Sequence, residues 1–67
     1  MKGMFIGKDA MGFKHRHMYN IKSKVQIVHR YKFNDNMMCI CIYDMNSKAW
    51  CPYESLEAVL RNWILDI

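Results

Sequence analysis

His15 and His17 are separated by one residue, and so are Cys39 and Cys41. On a strand that spacing puts both side chains of a pair on one face, and the four together are of the types that hold zinc in a tetrahedral site. The competing reading is stronger: structural zinc sites use more widely spaced cysteine knuckles, and free cysteine is among the most deeply buried residue types. No metal and no other cofactor is therefore expected. Cys51 with one of the three histidines makes a nominal nucleophile and base, but no motif places them together, so no catalytic residue is assigned and an enzyme is not expected. Gly3, Gly7 and Gly12 are too far apart to cradle a phosphate and read as turns.

Two binding chemistries remain. Lys22, Lys24, Arg30 and Lys32 share one strand parity, and Lys14 and Arg16 precede them, a set that suits phosphate contacts along a groove. Against this, Tyr19, Tyr31 and Phe33 fall on the opposite parity, where they read as core rather than as a base-stacking platform, and strand lysines also guard against aggregation. Trp50, Tyr53 and Trp63, where they reach the surface, supply aromatic anchors of the kind that dominate protein interfaces. The alternative for all three is core filling, most of all for Trp63, which continues a helical apolar stripe.

The elements that must position these residues come from a chain of 67 residues, enough for one domain with a small core. A hydrophobic fraction of 52%, with two Trp, four Tyr, three Phe and seven Met, argues for a folded chain. Three cysteines do not make a disulfide framework. The first apolar run, Met4-Phe5-Ile6, is too short for a signal-peptide core, so reduced thiols and a cytoplasmic location are expected. The longest apolar run, residues 37–43, is too short to span a bilayer, and no membrane partner is expected. Residues 1–32 carry eight Lys and Arg against Asp9 alone, whereas residues 33–67 carry two against five acids. That asymmetry marks an anion-binding face only where neighbouring strands do not mix the halves.

Met4-Phe5-Ile6 reads as a short strand followed by a loop over residues 8–12. Apolar and polar positions alternate over residues 19–33, a strand too long to lie flat in so small a domain, with Ser23-Lys24 the expected bend or bulge. A turn at Asn34-Asp35-Asn36 returns the chain through residues 37–43. The preferred two-residue loop pairs Ile27 with Ile42 and Tyr31 with Met38; a three-residue loop pairs His29 with Cys41. Ala49-Trp50-Cys51 forms a short strand stopped by Pro52. Ser55 caps a helix of two to three turns with Leu56, Val59, Leu60 and Trp63 on its apolar stripe, and residues 64–67 continue the helix or form a closing strand.

Short strands, one long bent strand and a late helical turn make a mainly β fold, most economically a small SH3-like barrel of four to five antiparallel strands. The stretch Gly12-Phe13-Lys14-His15-Arg16-His17-Met18-Tyr19-Asn20-Ile21 resembles the Gly-Phe, Gly-Lys, Tyr opening of short SH3-like proteins of phages and prophages of Gram-positive bacteria. Arg16 stands at the group's glycine and His17 at its lysine. Ala49-Trp50-Cys51-Pro52-Tyr53-Glu54-Ser55-Leu56-Glu57 resembles the later part of the same group. The resemblance implies a mobile-element origin and no shared activity. The expectation is a non-enzymatic protein-binding module, possible partners being a bacterial host protein or ribonucleoprotein, with an inhibitor of a defence system such as an anti-CRISPR as its sharpest form. A nucleic-acid-binding barrel is the alternative, and a homodimer burying Met37, Met38 or Met45 is compatible with either.

Overall fold

Alternating, β-branched-rich sequence from Met18 onward builds the longest element of the chain. A computed structural model describes residues 1–66, with β1 (Lys2–Phe5), β2 (Met18–Arg30), β3 (Asp35–Asp44), β4 (Trp50–Tyr53), α1 (Leu56–Asn62) and β5 (Trp63–Asp66) in chain order. The five strands form one antiparallel sheet in the order β4-β3-β2-β1-β5. β2 serves two partners: residues 18–20 pair with β1 and residues 21–30 with β3.

The expected SH3-like barrel does not form, because the sheet is open. β4 and β5 lie at opposite ends of the strand order, and among the described residues no ladder joins them. α1 packs against both strands where a closing ladder would run. A side-chain bond crosses the gap instead, Trp63 Nε1–H donating to the Tyr53 hydroxyl oxygen at 2.9 Å. Pro52 lies within β4 rather than ending it, which an edge strand tolerates because one side needs no donor.

Thirteen residues at about 3.3 Å each reach roughly 40 Å, whereas the molecule's longest dimension is 33 Å, so β2 cannot lie straight along it. The bulge expected at Ser23-Lys24 is absent: pairing runs unbroken from Ile21↔Asp44 to Arg30↔Asp35. The change of partner at Asn20-Ile21 occurs in its place.

The hairpin register also differs from expectation. Tyr31, Lys32, Phe33 and Asn34 all leave the ladder, with Asn34 at φ 49°, a conformation Asn tolerates. Ile27 therefore faces Met38 rather than Ile42, and His29 faces Asn36 rather than Cys41.

The core gathers Phe5, Phe13, Ile21, Ile42, Tyr53, Val59 and Trp63. The rings of Phe5 and Phe13 meet Trp63 edge-on at centroid distances of 5.2 and 5.0 Å, a favoured aromatic geometry. Ser55 caps α1 as its sequence predicts, its hydroxyl accepting from the Ala58 amide at 3.1 Å. Seven residues give two turns, and of the expected stripe only Val59 is buried within the helix; Leu56 and Leu60 are exposed. Trp63 opens β5, so residues 64–66 are strand, and Ile67 lies outside the described residues.

Candidate functional site

The outer part of the β2–β3 hairpin extends past the core, and its register sorts side chains onto two faces. Ser23, Val25, Ile27 and His29 share a face with Ile42, Ile40, Met38 and Asn36. Near the core this face is covered, Ile42 being buried and Ile40 half-buried. Farther out no described residue covers it: Val25, Ile27 and Met38 are 61, 67 and 64% exposed. Aliphatic side chains from two strands thus form an apolar surface where a monomer ordinarily keeps charge.

The hairpin tip is locked by ions. Arg30 donates to both carboxylate oxygens of Asp35 at 2.8 and 2.6 Å and reaches over to Glu54 at 3.0 Å. Its guanidinium also lies 4.6 Å from the Phe33 ring centroid. The Asp35 carboxyl is held below its ordinary range by this guanidinium.

Among the described residues, no strand pairs with the edge of β2 on the side away from β3 over residues 22–30. Ile21 N–H donates to the Met1 carbonyl and Met45 N–H to the Asn20 carbonyl, each at 2.8 Å, so odd-numbered β2 residues turn their backbone groups away from β3 and even-numbered ones towards it. Beyond Ile21, no strand among the described residues takes up the outward amides and carbonyls of Ser23, Val25, Ile27 and His29.

The three aromatic anchors suggested by sequence separate. Trp63 is 1% exposed and Tyr53 is buried with it, which removes both from any surface patch. Trp50 stays half-buried and stacks on Tyr43 at 5.8 Å. Tyr31 and Phe33, read as core from their parity, are exposed in the turn, Tyr31 at 87%. Strand alternation shows which residues share a face, not whether anything covers it. The usable signal was length: β2, at thirteen residues, far outruns β1, the four-residue strand on its other side from β3.

The basic residues do not form one stripe. Lys14 and Arg16 lie in the β1–β2 loop, Lys32 lies in the turn beyond the other end of β2, and Arg30 is engaged by two carboxylates. Lys22 and Lys24 do meet, joined by Lys48 around a cleft of about 320 Å³ with Tyr43, Asp44 and Met45. Sequence reasoning missed Lys48, which sits in the β3–β4 turn at φ 68°. Asp44 is buried, accepts from the Ser47 hydroxyl and from the Asn46 and Ser47 amides, and is held below the usual carboxylate range by those bonds.

His15, His17, Cys39 and Cys41 do not converge: among the described residues no three His, Cys, Asp or Glu side chains are placed to hold a metal. Cys39 and Cys41 are buried, Cys51 is half-buried, and burial pushes the thiols of Cys41 and Cys51 up, away from the reactive thiolate. His15 Nδ1 lies 3.1 Å from the Gly7 carbonyl oxygen and His29 Nδ1 lies 3.0 Å from Asn36 Oδ1. No helix among the described residues is long and apolar enough to cross a membrane. Compared with protein families, curated proteins and solved structures, the chain has no match.

Proposed function

We propose that this chain is a non-enzymatic protein-binding module that works through the outer half of its β2–β3 hairpin. The observation that carries this reading is the apolar surface of Val25, Ile27 and Met38. Exposed aliphatic surface flanked by charge is what a protein partner covers and desolvates. The likeness to short phage and prophage proteins supports a bacterial host protein or ribonucleoprotein as the partner, with an inhibitor of a defence system as its sharpest form. The test is capture from a bacterial lysate with and without nuclease, using the wild type and Met38→Lys. A partner that survives nuclease and is lost with Met38→Lys is expected; no such partner, or equal capture by both forms, overturns the reading.

One observation favours nucleic acid as a second reading: Lys22, Lys24 and Lys48 gather beside the stacked Tyr43 and Trp50. That reading requires affinity for single- or double-stranded nucleic acid that falls roughly tenfold or more between low and physiological salt. Absence of binding at low salt removes it.

A further inference from the structure

We propose that two copies of this chain pair through the free edges of their β2 strands, antiparallel and centred on Gln26, so that one sheet runs continuously through both. This goes beyond the protein-binding reading and stands without it.

Four residues of β2, Ser23, Val25, Ile27 and His29, offer outward amides and carbonyls in a row. Such an edge is a template for another strand, and stable proteins ordinarily shorten, cover or charge it. Here it is nine residues long, and neither of the two exposed aliphatic side chains on it is covered. Its cations, Lys22 and Lys24, stand on the opposite face from Val25 and Ile27.

The occupant follows from the arithmetic of the strand. Only odd residues present outward groups, so a two-fold antiparallel pairing must match odd with odd and centre on 25, 26 or 27. Centring on Val25 sets His29 against Ile21, whose amide is already bound to the Met1 carbonyl. Centring on Ile27 sets Ser23 against Tyr31, which has left the strand. Centring on Gln26 matches the free stretch with itself end to end: Ser23 meets His29 of the second copy and Val25 meets Ile27, each pair exchanging two backbone hydrogen bonds. Apolar side chains then stand opposite apolar side chains, the cross-strand arrangement that stabilises sheets.

Charge agrees with this register. Lys24 falls opposite Val28 of the second copy, not opposite a cation. Lys22 falls opposite Arg30, whose single positive charge is already outweighed by Asp35 and Glu54, one cation against two carboxylates. Lys22 therefore meets a locally negative cluster. The pairing also closes: each copy uses its one long free edge on the other, which leaves a dimer and not a filament. The Val25, Ile27 and Met38 surfaces of both copies come to lie side by side on one face.

An interface made by one strand edge falls below about 1,200 Å² and belongs to the weak, concentration-dependent class. Sedimentation over a concentration series is expected to show the mass rising from 8.1 kDa towards twice that value. The register is read by cysteine substitution under mild oxidation. Gln26 faces its own copy in a non-hydrogen-bonded pair with Cα atoms about 4.5 Å apart, so Gln26→Cys, combined with Cys39→Ala to remove the thiol paired with it across the hairpin, is expected to give a thiol-reversible covalent dimer. Val28 on the same face is held roughly 13 Å along the strands from its copy, so Val28→Cys in the same Cys39→Ala background is expected to form no covalent dimer, as is the parent with its native cysteines. A monomeric mass at every concentration, or Gln26→Cys linking no better than Val28→Cys, overturns the proposal. Met38→Lys, which tests partner capture, changes β3 and leaves this edge intact, so the two readings fail separately.

Discussion

Trp63 Nε1–H donates to the Tyr53 hydroxyl oxygen at 2.9 Å, and both side chains are buried. This bond links β4 to β5, the two outermost strands of the sheet, which share no backbone ladder among the described residues. Tyr53→Phe leaves the indole donor buried without a partner, a loss of about 1–3 kcal/mol. For a domain of this size each 1 kcal/mol lowers Tm by about 4–8 °C. Thermal denaturation followed by circular dichroism checks this, and an unchanged Tm means that the bond contributes nothing net.

Alkaline stability depends on the same region. Burial pushes the Cys41 and Cys51 thiols above their ordinary value of 9.0 and raises the Tyr53 phenol in the same direction. A folded-state pKa above the unfolded one gives stability that is complete below the unfolded value and is lost as pH rises towards the folded one. Denaturation midpoints are therefore expected to hold to about pH 8 and to fall above about pH 9. Cys51→Ala should flatten part of that decline in a urea titration at successive pH values.

Asp44 contributes to the acid limb, alongside Asp35. Its carboxylate, bonded to the Ser47 hydroxyl and to the Asn46 and Ser47 amides, is held below its ordinary value of 3.8. The stability it contributes is present above that value and disappears as pH falls through the folded-state pKa. Asp44→Ala should cost about 1–3 kcal/mol at neutral pH and remove that share of the acid dependence, read by urea denaturation between acid and neutral pH. It also frees the β3–β4 turn that presents Lys48.

Arg16 adopts φ 66° in the β1–β2 loop, in the left-handed region that costs a side-chain-bearing residue roughly 1–2 kcal/mol. Its amide donates to the Phe5 carbonyl at 2.6 Å, which fixes the turn in that conformation. Arg16→Gly is expected to stabilise the protein by about 1 kcal/mol, less what glycine loses through a freer unfolded chain. Chemical denaturation measures the gain, and a loss of stability means that the Arg16 side chain contributes more than the backbone strain it carries.

Local signals in the sequence served best where one residue decides the outcome. Ser55 before Leu56-Glu57-Ala58 names the helix start, and the alternation through Ile21, Val25 and Ile27 names a strand. Register and closure needed non-local information. Asn34-Asp35-Asn36 reads as a turn by composition, yet the ladder closes at Arg30↔Asp35, three residues earlier on β2, where Arg30 chelates Asp35, and leaves Tyr31 and Phe33 in the turn. Barrel closure failed on geometry: β1, β4 and β5 have four residues each, and α1 occupies the gap between the last two. Of the candidate site, the aromatic anchors Tyr53 and Trp63 went to the core, and the exposed surface came from aliphatic residues that alternation alone assigns to the interior.

β2 behaves as a cantilever. Its first part is clamped between β1 and β3 at Ile21, against Trp63, Phe13 and Ile42, while its last residues project beyond the clamp and are held, among the described residues, by the β3 ladder and the Arg30–Glu54 ion pair. Opening free energy must fall from the clamp to the tip, so amide exchange near Ile42 should follow global unfolding while that near Val28 and Met37 proceeds by local opening. The exchange pattern would place compliance in one arm of the molecule, apart from the root that holds it.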